Sequence, residues 1–351
     1  MILSACAANH FIAGEHELGE LSVQITKDGS FSLHSHHFQE AFHHSAGALT
    51  EATTKFVIPS ELERFKPGET IQILDVCVGL GYNSACLMQA LNSKGCHWSW
   101  CGLELDHRPL SLALAQPQFR SLWSNRILNL LEQLDSQGFW HESESNGQII
   151  WGDARSGLQH VQSHPAFDLI LLDAFSPSRC PELWSHEFIQ GLAERLAPQG
   201  RLLTYCRAAA VRNSLKAAGL QLFSLLPTSA QNNDWSSGTL AIKDDLQAQG
   251  YLSSQIKPAQ QTTNLGGNAV KQAAWRPLTQ MEKEHLLTRA AVPYRDPDGK
   301  ARSSEILARR SQEQQKSQLE STKHWQERWM VNREKLPQPT AVDLNPKASK
   351  G

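Results

Sequence analysis

The sequence lacks the features that would assign it to a membrane, secreted or thiol-redox class of protein. No apolar run approaches the roughly 20 residues that a membrane-spanning helix needs. The seven cysteines are odd in number and include no Cys-x-x-Cys pair, so they indicate neither a disulfide framework nor a redox motif. A formal net charge of −2 argues neither for nor against nucleic acid. We therefore expect a globular cytoplasmic protein with no membrane partner.

The stretch from Ile71 to Asn83 carries the pattern around which the rest of the chain is organised. An apolar run with β-branched residues predicts a buried strand, and Gly79-Leu-Gly81 then leads into a predicted helix. Strand, glycine turn and helix are typical of the nucleotide-binding opening of a doubly wound α/β domain. The third glycine of a dinucleotide-binding loop is absent, because Ser84 stands in its place, and no phosphate-loop Gly-Lys-Ser/Thr follows. The loop therefore suits a nucleoside cofactor without a pyrophosphate. We predict S-adenosylmethionine, bound by Asp75, Gly79, Gly81, Tyr82 and Asn83.

Acidic residues stand at the ends of the next predicted strands. Glu104 lies about 20 residues after Gly81, where such folds carry an acid for the ribose hydroxyls. Asp153, followed by Ala154, can accept a hydrogen bond from the adenine amino group, but it also suits the N-cap of the next helix. Asp173 ends the fourth strand, so we expect it to bind cofactor and to lie at the reaction centre. The three acids together predict a methyltransferase; a nicotinamide dehydrogenase would need only the first.

The predicted fold is therefore α/β, a class I Rossmann-like S-adenosylmethionine-dependent methyltransferase with a seven-stranded, mostly parallel sheet. Turn and strand signals predict an N-terminal hairpin and substrate-side lead-in over residues 1–65 and a methyltransferase domain over 66–245. A Gln-, Ser- and Asn-rich stretch followed by helical patterns predicts a linker and a helical arm over 246–335. We expect the tail, 336–351, to be disordered.

A histidine-rich segment precedes the first helix of the lead-in. A metal site would need cysteine or acidic partners at ligand spacing, which this segment lacks, so we predict no metal. Glu40 and His43 could instead face the substrate or cover the cofactor, and the alternative is a polar lead-in. The five histidines are His34, His36, His37, His43 and His44.

Basic residues recur along the predicted C-terminal helices. They could contact a phosphate backbone, although such a mixed charge run is more often the solvated face of a helix. The candidates are Arg302, Arg309, Arg310, Lys316 and Lys323.

The loop after the fourth strand carries a resemblance to a known family. Its sequence, Asp-Ala-Phe-Ser-Pro-Ser-Arg-Cys-Pro-Glu-Leu-Trp from Asp173 to Trp184, resembles the Asp-Gly-Phe-Ala-Pro…Asn-Pro-x-x-Trp signature of the MnmC methyltransferases and their stand-alone relatives. The chain departs from that signature at Ala174 and Cys180, and at Phe42 where the family usually has Tyr. Further matches lie at Phe38–His43, Gly47–Glu51, Gly200–Tyr205 and Ala208–Arg212.

The resemblance implies methyl transfer to the primary amine of a 5-aminomethyl group on the wobble uridine, in the anticodon loop of tRNA. Asp173 would orient the amine and accept its proton, while Phe175 and Pro177 would shape the substrate pocket together with Glu40 and His43. No flavin-dependent oxidase half is found in the sequence, so a separate oxidoreductase would supply the aminomethyl intermediate. Two alternatives stay open: an aminopropyltransferase of the spermidine-synthase type, and a non-catalytic RNA- or partner-binding protein on the same scaffold.

Overall fold

A computed structural model of the protein describes residues 18–161, 166–227, 236–243, 260–265 and 268–329. Within this part, strands and helices alternate, and the strands form a nine-stranded sheet and two small antiparallel sheets. The tail at 336–351, expected to be disordered, lies outside the described residues.

The large sheet has the strand order β14-β10-β11-β9-β8-β4-β5-β7-β6, while β1, β2 and β3 form the three-stranded sheet and β12 and β13 the two-stranded one. The strands in chain order are β1 (Leu21–Ile25), β2 (Phe31–Ser35), β3 (Glu40–Ala41), β4 (Thr70–Val76), β5 (His97–Glu104), β6 (Phe139–His141), β7 (Ser145–Trp151), β8 (Phe167–Leu172), β9 (Leu196–Thr204), β10 (Leu220–Leu225), β11 (Gly238–Lys243), β12 (Gln260–Leu265), β13 (Asn268–Ala273) and β14 (Trp275–Pro277).

The strand directions locate the ligand-binding edge. β9, β8, β4, β5 and β7 run parallel, and the remaining strands of the sheet join antiparallel. From β4 the chain builds first towards β5 and β7 and later returns to the other side as β8, so the strand order reverses beside β4. Ligands of such sheets bind beyond the carboxyl ends of the strands at this reversal.

Helices cover both faces of the sheet. The α-helices are α1 (Ala48–Glu51), α2 (Ile58–Ser60), α3 (Tyr82–Lys94), α4 (Arg108–Leu114), α5 (Pro117–Arg120), α6 (Asn125–Gln137), α7 (Ala154–His160), α8 (His186–Arg195), α9 (Ala209–Ala217), α10 (Gln280–His285), α11 (Ser303–Lys316) and α12 (Thr322–Arg328). A π-helical turn, Ala52–Val57, joins α1 to α2, and short 3-10 turns lie at Leu62–Arg64, Pro181–Trp184 and Arg289–Ala291. None of the described helices is long and apolar enough to cross a bilayer.

The apolar run of β8 shows why this sequence forms a central strand. Leu169 and Leu171 enter the core on one face of the sheet, which α3 and α6 cover. Ile170 and Leu172 enter the core on the opposite face, which α8 and α9 cover. Since side chains of a strand alternate between faces, only a continuous apolar run can fill both cores at once.

The structure confirms the N-terminal hairpin and all seven predicted strands of the sheet. The pairing of β1 with β2 forms the hairpin. Two edge strands that the sequence did not predict, β6 and β14, extend the sheet to nine strands. Both are three residues long, too short for an alternation pattern to be visible. After β8, the Pro181–Trp184 turn comes first and Ser185 then caps α8, which begins at His186.

The described C-terminal residues pack against the sheet. Trp275 in β14 contacts Phe223 with 4.6 Å between ring centroids, and its indole N–H donates to Glu61 Oε1 at 3.0 Å. Within the described residues, the predicted helical arm contains α10, α11 and α12. The domain boundary near 245 stays a prediction.

Two of the basic residues considered as phosphate contacts also bind backbone carbonyl groups within the fold. Arg309 donates to the carbonyl oxygen of Arg295 at 2.7 Å, and Arg310 donates to the carbonyl oxygens of Val292 and Ala290 at 2.8 and 3.0 Å. These bonds hold α11 against the preceding loop.

Candidate functional site

A cleft of about 1760 Å³ lies along the carboxyl ends of the parallel strands. Its walls come from the loop after β4, the ends of β5 and β7, the loop after β8, and the N-terminal segment that contains β3 and α1. Small-molecule pockets usually occupy about 300–1,000 Å³, so this cleft has room for a nucleoside cofactor and part of an acceptor.

The loop after β4 forms the floor of the cleft. Gly79 and Gly81 have φ values of +55° and +86°, which glycine adopts without strain. Cys77 also has a positive φ, +68°, a conformation that costs a side-chain-bearing residue energy and is concentrated at functional sites. Asp75 lies fully buried beneath the loop, where its Oδ2 accepts a hydrogen bond from Ser84 Oγ at 2.5 Å and burial raises its pKa to about 6. Asp75 therefore ties β4 to α3.

Glu104 is the acid at the end of β5, and it faces this loop. Its Oε2 accepts from the backbone N–H of Gly79 at 2.8 Å and its Oε1 from that of Asp106 at 2.9 Å. Burial raises the pKa of this carboxyl to about 7. Each oxygen keeps a lone pair for a further donor, so a pair of ribose hydroxyls fits this carboxylate and the donor set suits the nucleoside part of S-adenosylmethionine.

Asp153 at the end of β7 has the capping role that was the alternative in the sequence. Its Oδ1 accepts from the backbone N–H of Arg155 at 2.8 Å, which caps α7. The Arg155 guanidinium also binds both carboxylate oxygens and reaches Asp296 Oδ2 at 2.7 Å. Asp153 and Ala154 line the cleft. The adenine contact stays a prediction, and Arg155 already occupies part of the carboxylate.

Asp173 lies where β8 ends, and it lines the cleft as a partly buried residue. Its Oδ2 accepts from the Asn83 amide at 2.7 Å, which links it to the start of α3. Burial, and next the negative charge of Glu51, raise the pKa of Asp173 to about 7. Near neutral pH this carboxyl can therefore both accept and release a proton.

The loop that follows Asp173 is held by several hydrogen bonds. Glu40 Oε2 accepts from the backbone N–H of Ser176 at 3.0 Å and from its hydroxyl at 2.8 Å. The Tyr205 hydroxyl donates to the carbonyl oxygen of Ala174 at 2.9 Å, and the Trp184 indole donates to that of Phe175 at 2.7 Å. Glu40 thus reaches the loop, and the bonds fix its backbone from both sides.

Aromatic rings form the wall next to this loop. Phe175 stacks on Phe38 with 4.4 Å between ring centroids and meets Phe42 edge-on at 5.0 Å. The Phe42 ring also lies over Gly79, since a Cβ built there would be 3.4 Å from it. Ser176 and Ser178 line the cleft on either side of Pro177.

His43 connects the N-terminal sheet to the cofactor loop. Its Nδ1 lies 2.9 Å from Ser32 Oγ, and its ring meets the Tyr82 ring edge-on at 5.2 Å. Burial lowers the pKa of His43 to about 4, so the ring is neutral at physiological pH. The Tyr82 hydroxyl donates to the carbonyl oxygen of Phe31 at 3.0 Å. Both side chains line the cleft.

The cleft wall contains a pair of charged residues that were not predicted from the sequence as site residues. Glu51 and Lys55 form an ion pair whose side chains are only 12% and 18% exposed. Glu51 ends the Gly47–Glu51 match to the family, which could have singled it out, whereas no sequence signal marks Lys55. Among the described residues, no three histidine, cysteine or acidic side chains converge as metal ligands.

Comparisons with known proteins support a methyltransferase fold. The model of a family of S-adenosyl-L-methionine-dependent methyltransferases matches residues 117–230. Over 212 residues the chain is 29% identical to an uncharacterized protein of Methanocaldococcus jannaschii, covering 58% of this chain and 55% of that protein. Over 214 residues it is 29% identical to the tRNA 5-methylaminomethyl-2-thiouridine biosynthesis bifunctional protein MnmC of Azoarcus sp., covering 57% of this chain and 33% of that protein.

Among solved structures, the crystal structure of MnmC2 from Aquifex aeolicus matches with a TM-score of 0.66 and 26% identity, covering 85% of this chain and 86% of that one. The chain spans about half of the length of the Methanocaldococcus protein and a third of the length of the Azoarcus protein. The fold and the family model together show an S-adenosylmethionine-dependent methyltransferase, and these relatives show that the chain is similar to MnmC proteins.

Proposed function

We propose that this methyltransferase transfers a methyl group to the primary amine of a 5-aminomethyl group on the wobble uridine of tRNA. The observation that carries the proposal is the partly buried carboxyl of Asp173, which lies at the carboxyl end of β8 and has the uncharged amide of Asn83 as hydrogen-bond partner. The names of the Azoarcus and Pseudomonas aeruginosa relatives, which refer to tRNA 5-methylaminomethyl-2-thiouridine biosynthesis, support the choice of substrate.

Asp173 is the proposed catalytic residue. An alkylamine is protonated at neutral pH and cannot attack until it loses a proton. The Asp173 carboxylate would accept that proton and hold the amine in line, which is the positioning on which such displacements depend. S-adenosylmethionine supplies an electrophilic methyl group on a sulfonium. As the N–C bond forms, the C–S bond breaks with its electron pair on sulfur, and the proton on Asp173 passes to solvent.

The other cleft residues would bind and shield the reactants. Gly79, Tyr82 and the Asn83 backbone would contact the cofactor, and Glu104 would hold its ribose. Asp153 and Ala154 would lie against the adenine. Asp75 and Gly81 would act by shaping the loop, because they lie in or beneath its turn.

The aromatic wall would receive the base. A wobble base lies in a single-stranded loop, so it can turn out and stack on an aromatic side chain. Phe175 is the proposed platform, with Pro177 in the loop that borders it. Glu40 would fix that loop through Ser176, and His43 would hold the opposite wall.

The proposal also fixes the setting of the reaction. The aminomethyl group must be made before this step, so a separate oxidoreductase or its equivalent has to act on the tRNA first. Since the substrate is tRNA, we propose that the reaction takes place in the cytoplasm.

The test is transfer of labelled methyl from S-adenosylmethionine to tRNA that carries 5-aminomethyluridine. Unmodified tRNA of the same sequence is the control, and binding of S-adenosylhomocysteine by calorimetry reports an intact cofactor site. We expect label in the modified tRNA alone. If cofactor binds but neither tRNA is labelled, the substrate assignment is wrong. If label enters unmodified tRNA equally, the aminomethyl group is not the acceptor.

A further inference from the structure

The Glu51–Lys55 ion pair has no part in the proposed function, yet it lies in the wall of the cleft. Both residues line the cleft together with Asp173. Ion pairs with this i, i+4 spacing normally lie on the solvent face of a helix. Here the two side chains are only 12% and 18% exposed, so the pair faces inward.

Neighbouring groups hold the pair in place. Glu51 Oε2 accepts from the backbone N–H of His44 at 3.0 Å, while Oε1 binds the Lys55 ammonium. Lys55 Nζ lies 5.7 Å from the centroid of the Tyr205 ring. The Tyr205 hydroxyl in turn donates to Ala174, the residue that follows Asp173. The pair is therefore connected to the reaction centre by direct contacts.

The backbone beneath the pair is unusual. Lys55 belongs to the π-helical turn Ala52–Val57, and Glu51 immediately precedes it. π-helical turns are rare and are frequently found at functional sites. The turn thus lies directly under the two charged side chains of the cleft wall.

The two members of the pair act on Asp173 with opposite signs. Burial and the charge of Glu51 raise the pKa of Asp173, whereas the Asn83 hydrogen bond and the charge of Lys55 lower it. Burial alone would raise the pKa of Glu51, but the charge and hydrogen bond of Lys55 and the bond from His44 bring it below its usual value. Glu51 therefore stays ionised and its charge is matched by Lys55.

We propose that Glu51 and Lys55 are positioning residues of the acceptor site, which fix the charge beside Asp173 and so make the site selective for a cationic amine. With the ion pair neutral as a whole, ionised Asp173 leaves these three side chains with a net charge of −1. A primary ammonium neutralises that charge, whereas a neutral hydroxyl or amide does not. The inference rests on the proposed function for the identity of the acceptor.

Other titratable groups also face Asp173 and have to be kept constant. The groups around Asp173 and Glu51 are Asp75 at the end of β4, Cys77 in the cofactor loop, Tyr205 after β9 and His43 after β3. The variants below change none of them.

The test is the pH profile of single-turnover methyl transfer. Glu51→Gln should move the acid limb of the profile to lower pH by roughly one unit, and Lys55→Met should move it to higher pH. The double variant should return close to the wild-type limb, and Lys55→Arg, which keeps the charge, should leave the limb in place. As matched controls, Glu132→Gln and Arg120→Met break an ion pair that lies on the surface, with side chains 45% and 41% exposed. Neither control should move the limb.

A second measurement does not depend on the acceptor. The carboxyl carbon of Asp173 can be titrated by NMR in the complex with S-adenosylhomocysteine, with Asp173→Asn to assign the signal. We expect the same opposite shifts of its pKa in Glu51→Gln and Lys55→Met. If these opposite shifts occur but the protein does not methylate the modified tRNA, the proposed function is wrong and the inference about the ion pair stands. Shifts of one sign, or none, in variants that still bind S-adenosylhomocysteine would overturn the inference.

Discussion

The acids of the cleft have different tasks because their surroundings differ. Glu104 accepts two backbone N–H groups and faces the cofactor loop, whereas Asp173 accepts one side-chain amide and faces the aromatic wall. Asp75 is enclosed by the protein and bonded to Ser84. Burial raises the pKa of all three. A buried carboxyl with few donors is poised for proton transfer, while one with several donors is better suited to hold hydroxyl groups.

Asp173→Asn should abolish methyl transfer while the fold and the cofactor site survive. The amide keeps the size of the side chain but cannot accept the proton of the amine, so we expect the rate to fall by roughly 100-fold or more. The measurement is single-turnover transfer to tRNA carrying 5-aminomethyluridine. Calorimetry with S-adenosylhomocysteine and circular dichroism are the controls, and both should match the wild type. Normal transfer by this variant would remove Asp173 from the mechanism.

Glu104→Gln should weaken cofactor binding and remove its pH dependence. The ionised carboxylate accepts from both ribose hydroxyls, so wild-type affinity should rise as the pH increases through about 7, where Glu104 loses its proton. Hydrogen bonds to a charged group contribute about 1.5–3 kcal/mol, so the variant should bind roughly 10- to 100-fold more weakly above that pH.

The probe for this prediction is S-adenosylhomocysteine, measured by calorimetry between pH 6 and 8. Because the sulfur of S-adenosylhomocysteine is uncharged, protonation of Asp173 should have little effect on the measured affinity. An affinity in Glu104→Gln that equals the wild type at pH 8 would contradict the ribose role.

At the scale of elements, the loop after β8 acts through its supports. The Glu40 carboxylate holds Ser176 through two hydrogen bonds and so joins the N-terminal sheet to the substrate side of the cleft. Phe38 and Phe42, which flank Glu40 in sequence, pack on Phe175 in the same loop. One short segment therefore sets both the backbone and the aromatic face of the acceptor pocket.

Glu40→Gln should raise the KM for tRNA without changing cofactor affinity. The amide is a weaker acceptor than the carboxylate for the Ser176 N–H and hydroxyl, so the loop should be less well fixed; we expect a rise of roughly tenfold. Ser176→Ala removes one of the two bonds and should have a smaller effect. Initial rates at saturating S-adenosylmethionine give the KM. A change in affinity for S-adenosylhomocysteine instead would mean that Glu40 supports the cofactor side.

The elements show what the sequence could and could not predict. Glu104, Asp153 and Asp173 each follow a recognisable apolar run, and parallel strands bring such ends to one edge, so their position at the cleft was predictable. The ion pair of Glu51 and Lys55 was not, because its spacing is that of any surface ion pair and the π-helical turn that contains Lys55 has no local pattern. Arg155, which binds Asp153, also binds Asp296. Asp296 lies far along the chain, so local sequence could not predict this arrangement.

At the scale of the whole molecule, the described C-terminal residues are fastened to the methyltransferase sheet by buried charges. Arg212 in α9 and Glu282 in α10 are each 4% exposed and form an ion pair at 3.1 Å. Glu282 Oε1 also accepts from the Ser224 hydroxyl in β10. Arg155 likewise joins α7 to Asp296 at 2.7 Å. These pairs connect segments that are distant in sequence, so the described C-terminal helices should unfold together with the sheet.

Glu282→Ala should destabilise the whole protein because it leaves the Arg212 guanidinium buried without its ionised partner. Breaking a buried pair from one side costs about 3–5 kcal/mol, whereas removal of an exposed acid costs little. Glu132→Ala, which breaks the surface pair with Arg120, is the matched control. Urea unfolding followed by circular dichroism gives both values.

The pH dependence of this effect follows from the pKa of Glu282. Burial alone would raise it, but the hydrogen bonds from Arg276 and Ser224 and the charge of Arg212 lower it to about 2, below the usual value of 4.5. The pair therefore stabilises the protein above about pH 4.5, and this contribution is lost as the pH falls towards 2. The difference between wild type and Glu282→Ala should thus be full at pH 7 and smaller at pH 3. A constant difference would show that packing, and not charge, fastens the C-terminal helices to the sheet.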